Sequence, residues 1–389
     1  MMAERSSQPA GQIRYDVKAE NVAESNLFLR AFWAALRKRA GPHSWAFMPN
    51  KDGRTVTFGR ASFPERGVVG FGISYTQRGV INQLWARPEA GTETLLPEIA
   101  ASVQDAKINL ARLHPAWITA EIALFPPVKM ASYASAHLTL QGLAGGAMRL
   151  GLYVSGYDRP DREDEFLAIA EPVLDALSVF TNCSFQYAPA SVGEEVVEPA
   201  NARWCQADWL DGAPIIDGRL AITPEQLRYL EGLAVAPGEG AAVRAARLFH
   251  QALHLDYAGG PTLSDAVRTL YLSALEAASA PERNPSRCNE CGQPIYSIRK
   301  RVREVTKRHL GEAAEVIIDR AYNARSGYLH EGSVLGKRPF GLRARPLLDP
   351  DAPSGCYLPP GQDNTVNVRE FTSFILRELA RQQWSETAP

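Results

Sequence analysis

Long apolar runs are missing from this chain of 389 residues. The most apolar stretch, GLAGGAMRLGLYV at 142–154, is short and carries Arg149, so no membrane span is expected. The opening MMAERSSQPAGQ lacks an apolar h-region, which argues against a secretory signal. Cysteine is scarce as well. Five of them, an odd number in a long chain, do not make a disulfide framework, and a reducing cytoplasm is the expected compartment. Phosphate loops are absent: GSVLGKRPF is one residue short between its glycines, and Pro339 closely follows its lysine. There is no HExxH and no nucleophile elbow.

What is present is an ordinary globular composition, 45% apolar and 22% charged, in a chain long enough for two or three domains. The net charge of −1 hides an asymmetry. Residues 281–345 hold 14 Lys/Arg against 7 Asp/Glu, so the rest of the chain is acidic. Concentrated basic charge suggests a polyanion partner, and its plain competitor is a solvated helix face.

The first half alternates strand and helix signals. QIRYDVKAEN reads as a strand, and ESNLFLRAFWAALRKRAG as an amphipathic helix stopped by Gly41-Pro42. Hairpins follow around Lys51-Asp52-Gly53 and near Gln77-Arg78-Gly79, then a helix over 92–112. Strands at AWITAEIALF, HLTLQGL and MRLGLYVSG precede a helix over 163–180. Hairpins broken by single helices predict an α+β domain over 1–184, a candidate sensor or recognition module. Residues 185–238, richer in Pro, Gly and acid, read as a connector with one short helix. From 239 to 389 the pattern is almost wholly helical, including a helix or helix pair over 295–330. A terminal helix starts at Asn367, with Glu370 in the capping-box position. Helices of this number and length predict a bundle.

Near the end of that region stands RAYNARSGYLHEGS, in which Arg325 precedes His330 by five positions. With 34 arginines and 7 histidines, roughly two pairs separated by four to six residues arise by accident, and the chain has five. They are Arg37–His43, Arg244–His250, Arg247–His254, Arg303–His309 and Arg325–His330. Helical geometry distinguishes the last. On one continuous helix Leu310, Ala313, Ala314, Ile317, Ala321, Ala324 and Tyr328 form a core stripe. Asp319, Tyr322, Arg325, Ser326, Leu329 and His330 then fall on the opposite face. The pair is thus expected on the side that the core does not need.

The segment DAVRTLYLSALEA, the helix ending AYNARSGYLHEGS and the terminal amphipathic helix together resemble the HEPN superfamily, closest to its Apea-like branch. The cover is roughly residues 240–385. The resemblance implies a helical bundle carrying a metal-independent endoribonuclease site across a homodimer interface, with a prokaryotic anti-phage defence or toxin role. It assigns Arg325, Ser326 and His330 to the Arg-x4-6-His motif and Glu276 to the acidic position of an earlier helix. Ser326 stands where Asn, Asp or His is commoner, and Glu331 separates His330 from Gly332. A HEPN module without catalysis, binding RNA or a protein partner, is the alternative.

The chemistry suits those residues. Cleaving RNA without metal needs a base for the ribose 2′-OH and a cation for the charge that builds on phosphorus. Histidine titrates near neutrality, and arginine is a permanent, bidentate phosphate ligand. Arg299, Lys300, Arg301, Arg303, Lys307, Arg308, Lys337 and Arg338 are candidates to track an RNA backbone. Cys288 and Cys291, in CNECGQ, make half of a structural zinc site. It would need two more ligands from Cys356, His309 or Cys205; free thiols are the competing reading.

Overall fold

The computed structural model describes residues 11–187, 202–210, 212–238, 240–259, 263–279, 298–331, 347–348, 356–357 and 368–387. The side chains of His330, Glu331 and residues 347–348, 356–357 and 383–387 are excepted. An α+β N-terminal part, mostly sheet, is followed by a helical C-terminal part. The chain divides into two compact units, residues 1–116 with 154–165, and residues 117–153 with 166–389.

The first unit is one antiparallel sheet and two helices. Its elements are β1 (Ile13–Asp16), α1 (Val22–Ala40), β2 (Ser44–Asp52), β3 (Thr55–Phe63), β4 (Gly67–Gln77), β5 (Val80–Pro88) and α2 (Leu96–Ile108). The strand order is β1-β5-β4-β3-β2. Asn21 caps α1 by accepting the Glu24 N–H, and Gly41 at φ 87° ends the helix where the sequence places its stop. Alternation along the strands sends Ala61, Phe63, Val69, Phe71, Ile73, Leu84 and Ala86 to one face. Phe28, Phe32 and Leu36 of α1 and Ile99 and Val103 of α2 close over them. The opposite face needs room at one point, since a Cβ on Gly72 would collide with the Trp85 ring at 2.2 Å. Arg30 and Arg37 tie α1 to Asp161 and Asp158 of the same unit at 2.9 and 2.8 Å.

The second unit contains most of another sheet, ordered β10-β6-β9-β8-β7. It is built from β6 (His114–Phe125), β7 (Tyr133–Ala134), β8 (Leu138–Gly142), β9 (Ala147–Gly156) and, after α3 (Arg159–Thr181), β10 (Ser184–Tyr187). A two-residue hairpin, β11 (Ile215–Ile216) with β12 (Arg219–Leu220), and α4 (Pro224–Val235) follow. These residues do more than span a gap. Leu220, Ala221 and Ile222 are fully buried, and the Tyr133 hydroxyl accepts the Ile222 N–H at 3.0 Å. Thr223 and Gln226 form a capping box on α4.

The remaining helices are α5 (Ala241–Gly259), α6 (Ser264–Ala278), α7 (Ile298–Leu310), α8 (Glu312–Glu331) and α9 (Val368–Thr387). A two-residue pair, β13 (Leu347–Leu348) with β14 (Cys356–Tyr357), precedes α9. α6 packs against α5, α7, α8 and α9, so it lies at the centre of the group. Its Val267, Tyr271, Leu272 and Leu275 are buried, as are Phe249 and Leu253 of α5 and Ile375 of α9, and the Phe249 and Tyr271 rings lie 5.2 Å apart. Glu370, in the expected capping-box position, is 2% exposed and accepts from Asn182 and Arg369. Asn367 lies outside the described residues. Among the described residues no helix is long and apolar enough to cross a membrane.

Candidate functional site

Residues 298–331 form the helix pair, one of the two expected arrangements, broken at Gly311 with φ 85°. Within α8 the inward face differs from the expected core stripe. Ala313 is exposed, while Ala314 and Ile318 are buried. Tyr322 and Arg325 continue the inward line at i+4 and i+7 from Ile318. Arg325 therefore faces the bundle, with its side chain 14% exposed, and does not share the outer face with Ser326, which is exposed.

Facing inward, Arg325 meets Glu276, the acidic residue that the resemblance singles out on the earlier helix. The Nη1 and Nη2 groups donate to the two carboxylate oxygens of Glu276 at 2.6 and 2.9 Å. A bidentate fork of this kind fixes the guanidinium in plane with the carboxylate. Nη2 also donates to the Ser273 hydroxyl at 3.0 Å, whose own proton goes to the Thr269 carbonyl at 2.8 Å. Tyr322 completes the cluster. Its hydroxyl donates to Glu276 Oε1 at 2.5 Å, and its ring lies under the Arg325 guanidinium, 5.4 Å from centroid to Cζ. Burial, and after it the Glu276 carboxylate, push the Tyr322 phenol above its ordinary pKa.

The sequence places Tyr322 on the face of Arg325, where with Leu329 it is expected to pack against a second copy, and points neither it nor Ser273 at Glu276. The usable signal is spacing: Tyr322 stands three before Arg325, and Ser273 three before Glu276, so each shares a face with its partner. His330 lies in the last turn of α8, five residues beyond Arg325.

The basic run on α7 is brought to a different kind of partner. Arg299 forms a fork with Asp319 at 2.7 Å, Arg303 reaches Glu315 at 2.7 Å, and Lys307 reaches Glu312 at 2.8 Å. Lys300 lies 3.8 Å from Glu304 of its own helix. The hydrogen bond from Arg299 holds the Asp319 carboxyl below its usual range, as Lys307 does for Glu312. Arg308 is exposed. Arg301 is part-buried, and its Nε and Nη1 have no partner among the described residues. Lys337 and Arg338 lie outside the described residues.

The other histidine pairs resolve into packing. His43 sits among Trp33, Trp45 and Phe63, where burial lowers its pKa. His250 accepts the Phe185 N–H on Nε2 at 3.0 Å, with Nδ1 2.8 Å from Asp175, so both ring nitrogens are used structurally. His254 Nδ1 contacts the Gln186 side chain. Burial lowers the His309 pKa.

Of the zinc half-site, Cys288 and Cys291 lie outside the described residues. Cys205 lies 3.6 Å from the Ala221 carbonyl, its thiol pushed up to about 11 by burial, the behaviour of a packed thiol. No group of three His, Cys, Asp or Glu suited to a metal ion occurs among the described residues. No family model matches the chain, and neither a curated protein nor a solved structure matches it.

Proposed function

We propose that the C-terminal helices form a HEPN-type, metal-independent endoribonuclease, gated by the N-terminal part of the chain and acting in anti-phage defence or as a toxin. One observation carries the reading. Arg325 and Glu276, 49 positions apart, meet in a bidentate pair across α6 and α8. Those are two positions that the resemblance to the family singles out. In this reading His330 removes the 2′-OH proton of the ribose, and Arg325 stabilises the charge on the phosphorane. Glu276 holds Arg325, and Ser326 contacts RNA from the exposed side of α8.

A sparse site of this kind gains a second proton carrier when two copies meet about a two-fold axis. Apolar surface for such a homodimer is present on α8: Val316 is half exposed on its outer face, and Leu329 is half exposed four residues beyond Arg325. The α7 cations would follow the RNA backbone. Arg299, Lys300 and Lys307 are themselves about half exposed or more, and ion pairs at such a surface are weak enough for phosphates to replace the carboxylates.

The second reading is a HEPN module without catalysis that binds RNA or a protein. It is favoured by the closure of the Arg325 side chain against Glu276 and Ser273. Incubating the purified chain with RNA in excess EDTA separates the two. The enzyme reading expects cleavage that persists under chelation and leaves 2′,3′-cyclic phosphate ends. Cleavage that requires added Mg²⁺ or Mn²⁺ would sink the mechanism, and absence of cleavage favours the binding module.

A further inference from the structure

Three of the five Arg325 N–H donors are engaged in this conformation. Nη1 and Nη2 grip Glu276, and Nη2 gives a second hydrogen to Ser273. The Nε–H is buried with no partner among the described residues. The carboxylate also cancels the guanidinium charge. A phosphate arriving here finds neither an open donor edge nor a net positive charge, the two things by which arginine binds it.

Tyr322 tightens this closure from both sides. Its O–H donates to the same Glu276 oxygen that Nη1 uses, and its ring covers the guanidinium. Ser273 cannot turn its proton to an incoming anion, because it is committed to the Thr269 carbonyl. The buried, unpaired Nε–H shows what the closure costs, since a buried donor without an acceptor is destabilising.

We propose that Glu276 and Tyr322 form an autoinhibitory latch on Arg325, in which the carboxylate occupies the place of the substrate phosphate until the arginine is turned out. The proposal rests on the ribonuclease reading for the identity of the anion. The latch itself is a property of four side chains on α6 and α8. Tyr322 is a positioning residue here: it acts through Glu276 and touches no substrate.

The test uses the full chain with ¹⁵N at the arginine Nε, Arg325→Lys identifying the Arg325 resonance by its loss. In the wild type the Arg325 Nε–H exchanges slowly with water, and inorganic phosphate does not move its resonance. Tyr322→Phe removes one hydrogen bond to Glu276 without changing charge. It should speed that exchange about fivefold, the equivalent of one hydrogen bond, and let phosphate shift the resonance. Should Tyr322→Phe fail to fold, Glu276→Gln serves through exchange alone, because its altered charge attracts phosphate regardless.

A wild-type Arg325 that already responds to phosphate overturns the latch. So does a folded Tyr322→Phe whose exchange and phosphate response match the wild type. RNA cleavage is not read in this experiment, so the two proposals fail separately. A chain that cuts no RNA but unlatches on Tyr322→Phe loses only the ribonuclease reading.

Discussion

Two arginine–carboxylate forks that share helix α8, one with α7 and one with α6, have nearly the same geometry and opposite meaning. Arg299 with Asp319 and Arg325 with Glu276 both span less than 3 Å. The side chain of Arg299 is 49% exposed, however, and that of Arg325 is 14% exposed. In water the first pair gains little and can be traded for phosphate at small cost. The second lies where losing one partner strands a charge among packed helices. Distance alone does not tell a structural or functional pair from a solvated one; burial does.

The sharpest way to break that comparison is to remove one acid from each fork. Glu276→Ala should cost about 2–4 kcal/mol in chemical denaturation, because Arg325 and the Tyr322 hydroxyl lose their acceptor together. Asp319→Ala should leave the denaturation midpoint unchanged within error. Equal effects from both would show that the burial contrast has no energetic content.

An intermediate effect is expected in RNA binding. Replacing Arg299, Lys300 and Arg301 by alanine should lower the slope of log affinity against log salt by about 2–3, roughly one for each phosphate no longer neutralised. A slope that stays put would make α7 a solvated face and leave Arg325 to account for any RNA affinity.

The smallest effect is in pH dependence. Arg299 depresses the Asp319 pKa, so the unfolded chain takes up that proton first as pH falls. The stability due to this fork is therefore present above the ordinary aspartate value and lost as pH drops through the lowered one. Carboxyl titration by NMR should show Asp319 returning toward its ordinary value in Arg299→Ala and in high salt. A titration insensitive to both would mean that Arg299 is not its partner in solution.

Much of the fold was legible from periodicity and turn chemistry. The Gly41 stop, the hairpin turn at Gly53 and the mainly helical pattern after 239 each follow from local preferences that tertiary packing did not override. β7 and β10 were not legible, since two and four residues carry too little alternation to register. The phase of α8 was misread for a definite reason. Apolar periodicity selects Ala313, Ile317, Ala321 and Ala324, whereas the polar Tyr322 and Arg325 turn inward because Glu276 and Ser273 of α6 receive them there. The family resemblance singled out Arg325 and Glu276 separately, but their pairing was not legible, because nothing local relates positions 49 apart. Tyr322 and Ser273 become visible only once α6 faces α8.

The most direct measurement is RNA cleavage by His330→Ala, read beside its melting temperature and its sedimentation. The wild type is expected to cut RNA as a dimer. The variant should fold and dimerise as the wild type does while cleavage is lost. If the chain is monomeric at working concentration, or if His330→Ala cuts RNA as fast as the wild type, Arg325 and His330 are an accident of composition.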